Sequence, residues 1–347
     1  MSGTYWIVND TRYDNHHGCL TVIRNLENAM RSRGWSCGGA LPVGAKPSDI
    51  NRYLGARRSP DLVIVNGEGS LHDEGRNCRR LLAVCHELQK KYPVVLVNAL
   101  WENVTDPLAG EVLRGFRSVY TRDRQSQQEI VDLDVDAGCA PDLTFLSYPS
   151  FNRDSFKGSG RYLCTDSVVR SWSDSAYQYC SASDELDYLT MFTPTVTHKR
   201  GISGYVKSAK NVIYPRLYSK TSLRVPPKYR ALTSMAFDDT YDLLVKMQEY
   251  DAICVARFHA LCFAIQQGIP FLVADTNSRK SISLLAELGM PEDRFTIART
   301  EIADLPERLE FVSSAYNSFR SSNEIFCVKA AESINSMFDQ IIGSEQH

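Results

Sequence analysis

Short apolar runs alternate with longer amphipathic stretches along the first 146 residues of the chain. Gly34 follows the first amphipathic stretch, at the position where a glycine suits the left-handed end of a helix. This alternation predicts right-handed crossovers and a parallel sheet covered by helices on both faces. Strands are predicted at residues 5–9, 39–43, 61–66, 94–100 and 118–121, and helices at 19–33, 76–91, 108–115 and 123–131.

A second alternating series begins at residue 162, after a polar stretch at residues 151–160 whose glycines and serines predict a linker. We therefore expect an α/β protein of two doubly wound, Rossmann-like domains, at residues 1–150 and 160–325. Residues 326–347 are expected to form a C-terminal helix that can pack back on the first domain. The second series has predicted strands at 162–164, 188–192, 211–214, 252–256, 271–274 and 294–297, and helical patterns at 304–320 and 323–342.

Two such domains joined by one linker suggest a glycosyltransferase-B-like arrangement, in which the functional cleft would lie between the domains. The length of 347 residues agrees with two domains, because single hydrophobic cores stop growing near ~250–300 residues. The net charge of −2 argues against nucleic-acid binding through a basic face. The ten cysteines include no paired CxxC motif, so we expect reduced, buried thiols rather than disulfides or a zinc site.

The apolar fraction of 43% is that of an ordinary soluble globular protein. No apolar run approaches the ~18 residues that a membrane-spanning helix needs. The first residues enter a strand without the basic flank and apolar core of a signal peptide. We therefore expect no transmembrane segment and a cytoplasmic location.

The first candidate site is the loop at residues 66–72, Asn-Gly-Glu-Gly-Ser-Leu-His, directly after an apolar strand. Gly67 and Gly69 would let the backbone approach a ligand closely. Ligands bind beyond the carboxyl ends of parallel strands, which favours a functional loop whose polar side chains face the ligand: Glu68, Ser70 and His72. The alternative is a structural turn in which Ser70 caps the next helix.

The second candidate site lies where an apolar strand gives way to a helix, at Arg257 and His259. Arginine and histidine two residues apart on such a turn can clamp an anion and supply a titrating donor, and the helix N-terminus adds partial positive charge. Asn277 and Lys280 follow the next predicted strand. In the structural alternative, which stays open, Arg257 forms a surface salt bridge and His259 serves as a helix-cap residue.

The third candidate is the run Asn15-His16-His17-Gly18, which follows the first predicted strand and enters a helix. A glycine beside a helix N-terminus can make a substrate site, where Asn15 or His17 would contact a sugar hydroxyl. Adjacent histidines are also common on solvated loops, and metal binding by this pair alone is not expected. Here we favour the structural interpretation.

The fourth candidates are Arg122-Asp123 and Pro141-Asp142, both at strand ends of the first domain. The first pair can cap the helix that follows and Asp142 can position the linker, so we favour structural roles. The chain has no GxSxG elbow, no GxGxxG or P-loop fingerprint and no HExxH motif. We expect neither a metal nor a bound cofactor.

Taken in order, these motifs resemble those of the polysaccharide pyruvyl transferase family. The resemblance spans residues 15–290, most of the chain. Many family members carry an acidic residue after the first-loop glycine, where this chain has Cys19. The matching residues are Asn-Gly-Glu-Gly-Ser-Leu-His at 66–72, Arg122-Asp123 followed by Ser126, Pro141-Asp142-Leu143, and Arg257-Phe258-His259-Ala260-Leu261 through Gly268-Ile269-Pro270.

The resemblance implies a transferase with a glycosyltransferase-B-like fold that moves pyruvate from phosphoenolpyruvate onto sugar hydroxyls as a cyclic ketal. Its place would be in exopolysaccharide or capsule biosynthesis, with phosphoenolpyruvate as donor substrate and no further cofactor. We expect His259 to orient the phosphate or act as general acid, and Glu68, with His72 as second candidate, to position or deprotonate the acceptor. Expected donor-binding residues are Arg257, Lys280, Asn277 and Arg122, and expected acceptor-binding residues are Asn15, His17, Gly18, Gly67, Gly69, Ser70 and Asp142.

Two other functions stay open at this point. A glycosyltransferase with a nucleotide-sugar donor would use the same cations to hold a diphosphate. A catalytically inert glycan-binding homologue would not need to keep a polar donor cleft. Four residues therefore count against it: Arg257, His259, Lys280 and Glu68. The expected partner is a sugar or lipid-linked glycan acceptor, and a lipid-linked acceptor can bring the protein to a membrane surface without a transmembrane segment.

Overall fold

The computed structural model describes residues 2–55, 57–73, 75–147, 159–194, 206, 209, 213, 235–274, 279–315 and 317–343. The chain divides into two compact units. The first comprises Met1–Asp14, Cys19–Leu146 and Ala330–His347, and the second comprises Asn15–Gly18 and Ser147–Lys329. The short segment Asn15–Gly18, whose last two residues begin the first helix, therefore belongs with the second unit although it lies near the N-terminus of the sequence.

The first unit is built on a parallel sheet with the strand order β2-β1-β3-β4-β5-β6. Its central strands are buried along their whole length, because helices cover both faces of such a sheet. The chain order reverses between β1 and β3, and ligands bind beyond the carboxyl ends of the strands at such a switch point. The strands are β1 Thr4–Asp10, β2 Ser36–Pro42, β3 Leu62–Asn66, β4 Val94–Ala99, β5 Ser118–Thr121 and β6 Gly138–Cys139.

The helices of the first unit follow the amphipathic stretches of the sequence. Gly34, with φ of 82°, ends the turn after the first helix in the left-handed conformation expected of it. Asp123 caps the fifth helix, because its side chain accepts a hydrogen bond from the Ser126 backbone N–H at 2.8 Å. The helices are α1 His17–Ser32, α2 Ile50–Leu54, α3 Arg76–Gln89, α4 Leu108–Gly115 and α5 Arg124–Val131.

The second unit has its own parallel sheet, with the order β11-β10-β9-β7-β8. The chain order reverses between β7 and β9, which are direct neighbours, so the residues that follow these two strands meet at one switch point. The strands are β7 Tyr162–Thr165, β8 Leu186–Leu189, β9 Ala252–Val255, β10 Phe271–Ala274 and β11 Thr296–Ile297.

The helix that follows β9 is buried from His259 to Gln266 and is apolar on most of its circumference, as expected of a helix inside a core. Its N-terminus lies at the switch point of the sheet. The helices of the second series are α6 Arg170–Ser181, α7 Thr240–Met247, α8 Phe258–Gln266, α9 Arg279–Glu287, α10 Glu292–Phe295, α11 Leu305–Ala315 and α12 Asn317–Gly343.

The last helix is longer than its sequence pattern predicts. The pattern places a break at residues 321–322, whereas α12 runs through them and begins at Asn317. Phe319, in the first turn of α12, packs edge-on against Phe295 with ring centroids 5.2 Å apart. Tertiary packing of this kind outweighs the modest helix propensity of the two serines.

The end of α12 packs within the first unit. Arg33 donates from Nε to Asp339 Oδ1 at 2.8 Å, and Tyr120 donates its hydroxyl to Gln340 Oε1 at 2.7 Å. Phe338 is completely buried, with the Arg33 guanidinium carbon 5.7 Å from its ring centroid. The last turns of the chain are thus part of the first unit's core.

Other predicted elements differ at their ends. The strand predicted at residues 294–297 is extended only at Thr296–Ile297, because Glu292–Phe295 form one helical turn. The strand predicted at 211–214 lies outside the described residues except for Ile213, which is helical. Residues 151–158 of the predicted linker also lie outside them. None of the described helices is long and apolar enough to cross a membrane.

We expect Phe338→Ala to lower the free energy of unfolding by about 3–5 kcal/mol, because it removes a fully buried ring from the first unit's core. Urea denaturation followed by circular dichroism measures this loss of stability. Faster hydrogen exchange in β1 would show that the first unit is the part that is destabilised. Val328→Ala, at a position 59% exposed in the same helix, should change stability by less than about 0.5 kcal/mol. Equal denaturation midpoints for the two variants would show that α12 does not stabilise this core.

Candidate functional site

Glu68 lies at the carboxyl edge of the first unit's sheet, just after β3. Only 4% of the residue is exposed. Its Oε2 accepts hydrogen bonds from Thr11 Oγ1 at 2.8 Å and Asn66 Nδ2 at 3.2 Å, and its Oε1 accepts one from Cys19 Sγ at 3.1 Å. These donors come from β3 and from the segments after β1, so the switch point of the sheet holds the carboxylate in one orientation.

The glycines beside Glu68 allow this close packing. A Cβ at Gly67 would lie 2.5 Å from the Ala99 Cα, and Gly69 has φ of +64°. Ser70 donates its hydroxyl to Asn9 Oδ1 at 3.1 Å, so it points into the unit. It does not cap the next helix, since α3 begins only at Arg76 after the N-cap residue Gly75.

His72 is placed differently from Glu68. Its side chain is 34% exposed, and its two ring nitrogens contact its own loop. Nε2 lies 3.2 Å from the Gly69 carbonyl and Nδ1 lies 3.2 Å from Asp73 Oδ2. The structure therefore places Glu68 and Ser70 in a buried polar cluster and His72 at its exposed margin.

Arg122 and Asp142 form a buried ion pair in the first unit. Arg122 Nη1 lies 3.1 Å from Asp142 Oδ2, with 3% and 1% of the side chains exposed. Asp142 also accepts hydrogen bonds from the Thr144 backbone N–H and hydroxyl, at 3.0 and 2.8 Å. Removing one partner of such a pair typically costs about 3–5 kcal/mol, so this pair contributes to the stability of the first unit.

Arg257 and Asp166 meet at the switch point of the second unit. Arg257 Nε and Nη2 donate to Asp166 Oδ2 at 2.9 and 2.6 Å, and Nη2 also donates to the Ser167 carbonyl at 3.3 Å. The Arg257 guanidinium carbon lies 4.5 Å from the ring centroid of Phe192. Asp166 in turn accepts a hydrogen bond from the Met191 backbone N–H at 2.8 Å. The arginine is therefore held by a carboxylate, a carbonyl and an aromatic face.

This pairing limits which guanidinium nitrogens of Arg257 can bind an anion. Nε and Nη2 already bond to Asp166 and Ser167, so Nη1 is the nitrogen that these two residues leave open to an anion. Only 11% of the side chain is exposed. Asp166 and Phe192 are not among the residues that the sequence motifs indicate. The one signal for Asp166 is that it follows β7 directly, much as Arg257 follows β9.

His259 is the second residue of α8 and is 8% exposed. A Cβ built on Gly18 would lie 2.0 Å from His259 Cγ, so only a glycine lets the imidazole occupy this place. The loop that carries Gly18 is fixed in the second unit, because the Asn15 carbonyl accepts a hydrogen bond from the Thr193 backbone N–H at 2.8 Å. The structure thus brings Gly18 and His259 together.

His17 is fully buried, and both ring nitrogens have partners. Its Nε2 donates to the Phe237 carbonyl at 3.0 Å, and its Nδ1 accepts from the Thr240 hydroxyl at 3.0 Å. These bonds attach His17 to the first residue of α7 and to the segment just before it. They leave the ring no nitrogen for a sugar hydroxyl while they are present.

The neighbouring His16, which the sequence analysis did not select, lies beside His259. The ring centroids are 5.6 Å apart, and a ring nitrogen of each lies within 4.8 Å of the other's. Burial lowers the pKa of His16 well below its ordinary value of 6.5, and the nearby charges of Arg257, His259 and His17 lower it further. His16 is therefore a neutral imidazole at the N-terminus of α8.

The remaining cationic candidate, Lys280, lies half-buried in the first turn of α9, which follows β10. Asn277 lies outside the described residues. A cavity of about 310 Å³ opens at the carboxyl ends of β10 and β11, and its charged lining residues are Glu292, Asp293, Glu301 and Arg308. Three carboxylates against one arginine make that cavity a poorer site for an anion than the start of α8.

Comparison with known families gives a direct assignment. The family model described as polysaccharide pyruvyl transferase matches residues 8–278, which is most of the chain. The chain belongs to the polysaccharide pyruvyl transferase family. It is therefore a transferase, and the matched region contains both the Glu68 loop and the Arg257-Phe258-His259 motif. Lys280 lies just beyond the match.

No curated protein matches the chain in sequence. Solved structures resemble it at low identity. The UDP complex of MnaA from S. aureus has a TM-score of 0.51 at 10% identity, covering 92% of this chain and 94% of that one. An α-glucosyltransferase in complex with UDP and DNA has a TM-score of 0.50 at 9% identity, with coverages of 98% and 99%. A putative UDP-N-acetylglucosamine 2-epimerase from Listeria monocytogenes has a TM-score of 0.48 at 11% identity, with coverages of 98% and 97%.

These likenesses concern the fold alone. Two Rossmann-like α/β domains of the glycosyltransferase-B type were predicted from the sequence, and this fold class is confirmed. Two separate observations thus support the two conclusions. The sequence match establishes the pyruvyl transferase family, and the strand order and structural likenesses establish the fold.

We expect Gly18→Ala to lower the free energy of unfolding by about 1–3 kcal/mol, because the new methyl group would overlap the His259 ring. The double variant Gly18→Ala/His259→Ala should recover most of this loss, giving a coupling energy above about 1 kcal/mol in a double-mutant cycle measured by urea denaturation.

Gly110→Ala is the matched control, because its nearest neighbour, Arg114 Nη1, is 3.5 Å away and Gly110 lies inside α4. It should leave stability unchanged or raise it by up to about 1 kcal/mol. A coupling energy near zero between positions 18 and 259 would contradict the close approach.

Proposed function

We propose that the chain transfers pyruvate from phosphoenolpyruvate onto hydroxyls of a sugar in a cell-surface polysaccharide or its precursor, forming a ketal. The observation that carries the proposal is the placement of Arg257 and His259 at the N-terminus of α8, at the switch point of the second unit. Membership of the polysaccharide pyruvyl transferase family supports it.

The donor that we propose carries a phosphate and a carboxylate, so it needs fixed positive charge. Arg257 is the N-cap residue of α8, and the helix N-terminus adds about half a unit of positive charge close to it. Because Asp166 and Phe192 already hold the guanidinium, little side-chain entropy remains to be lost when an anion binds. Lys280 remains a candidate for a further donor contact.

Within this proposal His259 orients the phosphate or delivers a proton to the enol methylene as general acid. Its position in the first turn of α8, packed against Gly18, holds the ring in one place. Both roles require a ring held close to the anion, and the close packing provides that.

Glu68 is the proposed residue that positions or deprotonates the acceptor hydroxyl. Its carboxylate is buried and oriented by Thr11, Asn66 and Cys19, as a preorganised acid–base group needs to be. His72 remains the second candidate, although its ring nitrogens contact its own loop. The acceptor that we propose is a sugar or a lipid-linked glycan.

Phosphoenolpyruvate should bind the wild-type protein in isothermal titration, and Arg257→Ala/Asp166→Asn should raise the Kd at least ~30-fold, since the variant lacks the charged donor. We choose the double variant because Arg257→Ala alone would leave the Asp166 carboxylate buried and uncompensated. Asp166→Asn alone should raise the Kd less than the double variant does, because Arg257 keeps its charge but loses the carboxylate that orients it.

Nucleotide sugars serve as comparators in the same titration. The proposal fails if the protein binds a nucleotide sugar and is unaffected by phosphoenolpyruvate, because the donor would then be a nucleotide-linked sugar. It also fails if the double variant keeps wild-type affinity for phosphoenolpyruvate.

His259→Ala should lower turnover by ~10²–10⁴-fold if the imidazole is the general acid, while the thermal unfolding midpoint stays close to that of the wild type. The Kd for phosphoenolpyruvate separates the two roles, because it rises only if the ring also orients the phosphate. His86→Ala, at a partly exposed position on α3, is the matched control and should keep full turnover. Near-normal turnover of His259→Ala would exclude both roles.

A further inference from the structure

His16 has a fixed tautomer. Its Nδ1 accepts a hydrogen bond from the Gly18 backbone N–H at 3.1 Å. A ring nitrogen that accepts a hydrogen bond carries no proton, so the neutral imidazole has its proton on Nε2. His16 is therefore a hydrogen-bond donor at Nε2.

That donor is buried and has no hydrogen-bond partner among the residues that the structure describes. The residue is 5% exposed, so bulk water does not satisfy it either. Buried polar groups are almost always paired, because an unsatisfied one costs the desolvation of the group. The Nε2–H group of His16 therefore needs an acceptor that the described residues do not provide.

The surroundings of the ring indicate where that acceptor lies. The His16 and Phe192 rings pack in a T-shaped arrangement, with ring centroids 5.5 Å apart and an interplanar angle of 90°. The His259 ring, at the start of α8, has its centroid 5.6 Å from that of His16. Phe192 is also the ring on which the Arg257 guanidinium stacks. His16, His259 and Arg257 thus share one part of the second unit.

The charge state of His16 suits this place. A second protonated imidazole beside Arg257 would add like-charge repulsion in a buried site. A neutral Nε2–H group adds a directional hydrogen bond without that repulsion. The low pKa of His16 keeps the ring in the neutral form at pH 7.

We propose that His16 contacts the donor substrate directly, giving its Nε2–H hydrogen bond to an anionic oxygen of the phosphate or carboxylate that Arg257 and the start of α8 hold. The inference rests on the proposed function and extends it by one substrate-contacting residue. It assigns different roles to the two adjacent histidines: His17 fixes the loop in the second unit, and His16 contacts the ligand.

Two variants test the roles of the two ring nitrogens of His16, Nδ1 and Nε2, separately. In His16→Asn the amide oxygen can still accept the Gly18 N–H, but the distal donor is lost. In His16→Gln the longer amide can reach the position of Nε2 and donate there. Isothermal titration with phosphoenolpyruvate should therefore show a rise in Kd of about 10-fold or more for His16→Asn and a smaller one for His16→Gln.

His86→Asn is the matched control and should bind phosphoenolpyruvate like the wild type, because His86 lies on α3 of the first unit. Thermal unfolding of each variant confirms that it is folded. Long-range ¹H–¹⁵N spectra give an independent readout: the His16 ring of the wild type should show the Nε2–H tautomer, and phosphoenolpyruvate should shift its Nε2 resonance.

The outcomes distinguish this inference from the proposed function. Suppose that phosphoenolpyruvate binds, that its binding depends on Arg257 and that His16→Asn binds it with wild-type affinity. The inference about His16 is then wrong and the proposed function stands. If UDP-N-acetylglucosamine binds instead, the proposed function is wrong, and the same two His16 variants titrated with that ligand decide the role of His16. Binding of neither ligand contradicts both.

Discussion

The buried ion pair between Arg257 and Asp166 is the interaction on which the second unit's site depends. It forms because β7 and β9 are neighbours, and Thr165 Oγ1 accepts a hydrogen bond from the Ala256 backbone N–H at 2.9 Å, which aligns the two strand ends. Burying two charges is costly unless their remaining hydrogen-bonding groups are satisfied. The Met191 N–H group and the Ser167 carbonyl provide that here.

The pair also explains why the site is preorganised. It holds the guanidinium at the N-terminus of α8, where Gly18 allows the His259 ring to pack closely. The first unit also has a carboxylate at a strand end. Glu68 follows β3, and donors from the segments after β1 orient it. In both units a carboxylate just beyond a central strand orders the polar groups at the carboxyl edge of the sheet. Groups that are already oriented lose little entropy when a ligand binds.

Sequence periodicity predicted most elements of both sheets within a few residues, and the motif order indicated the family. The wrong element boundaries lie where tertiary contacts outweigh the local sequence pattern. The predicted strand at residues 188–192 ends at Leu189, because Met191 and Phe192 leave the sheet to contact Asp166 and Arg257. The serines at residues 321–322 stay helical because Phe319 packs on Phe295. Of the candidate residues, Arg257, His259, Gly18 and Glu68 were named in advance, whereas Asp166, Phe192 and His16 were not.

The sequence by itself determined which segments form strands and helices and which polar residues follow the strands, because period-2 and period-3.6 patterns are local properties of the chain. Only the tertiary structure decided which of those residues meet. Asp166 and Arg257 are 91 positions apart and become partners through the strand order, which no local pattern contains. The difference between His16 and His17 has the same origin: they are neighbours in the sequence, and packing alone places His16 beside His259 and bonds His17 to Thr240 and Phe237.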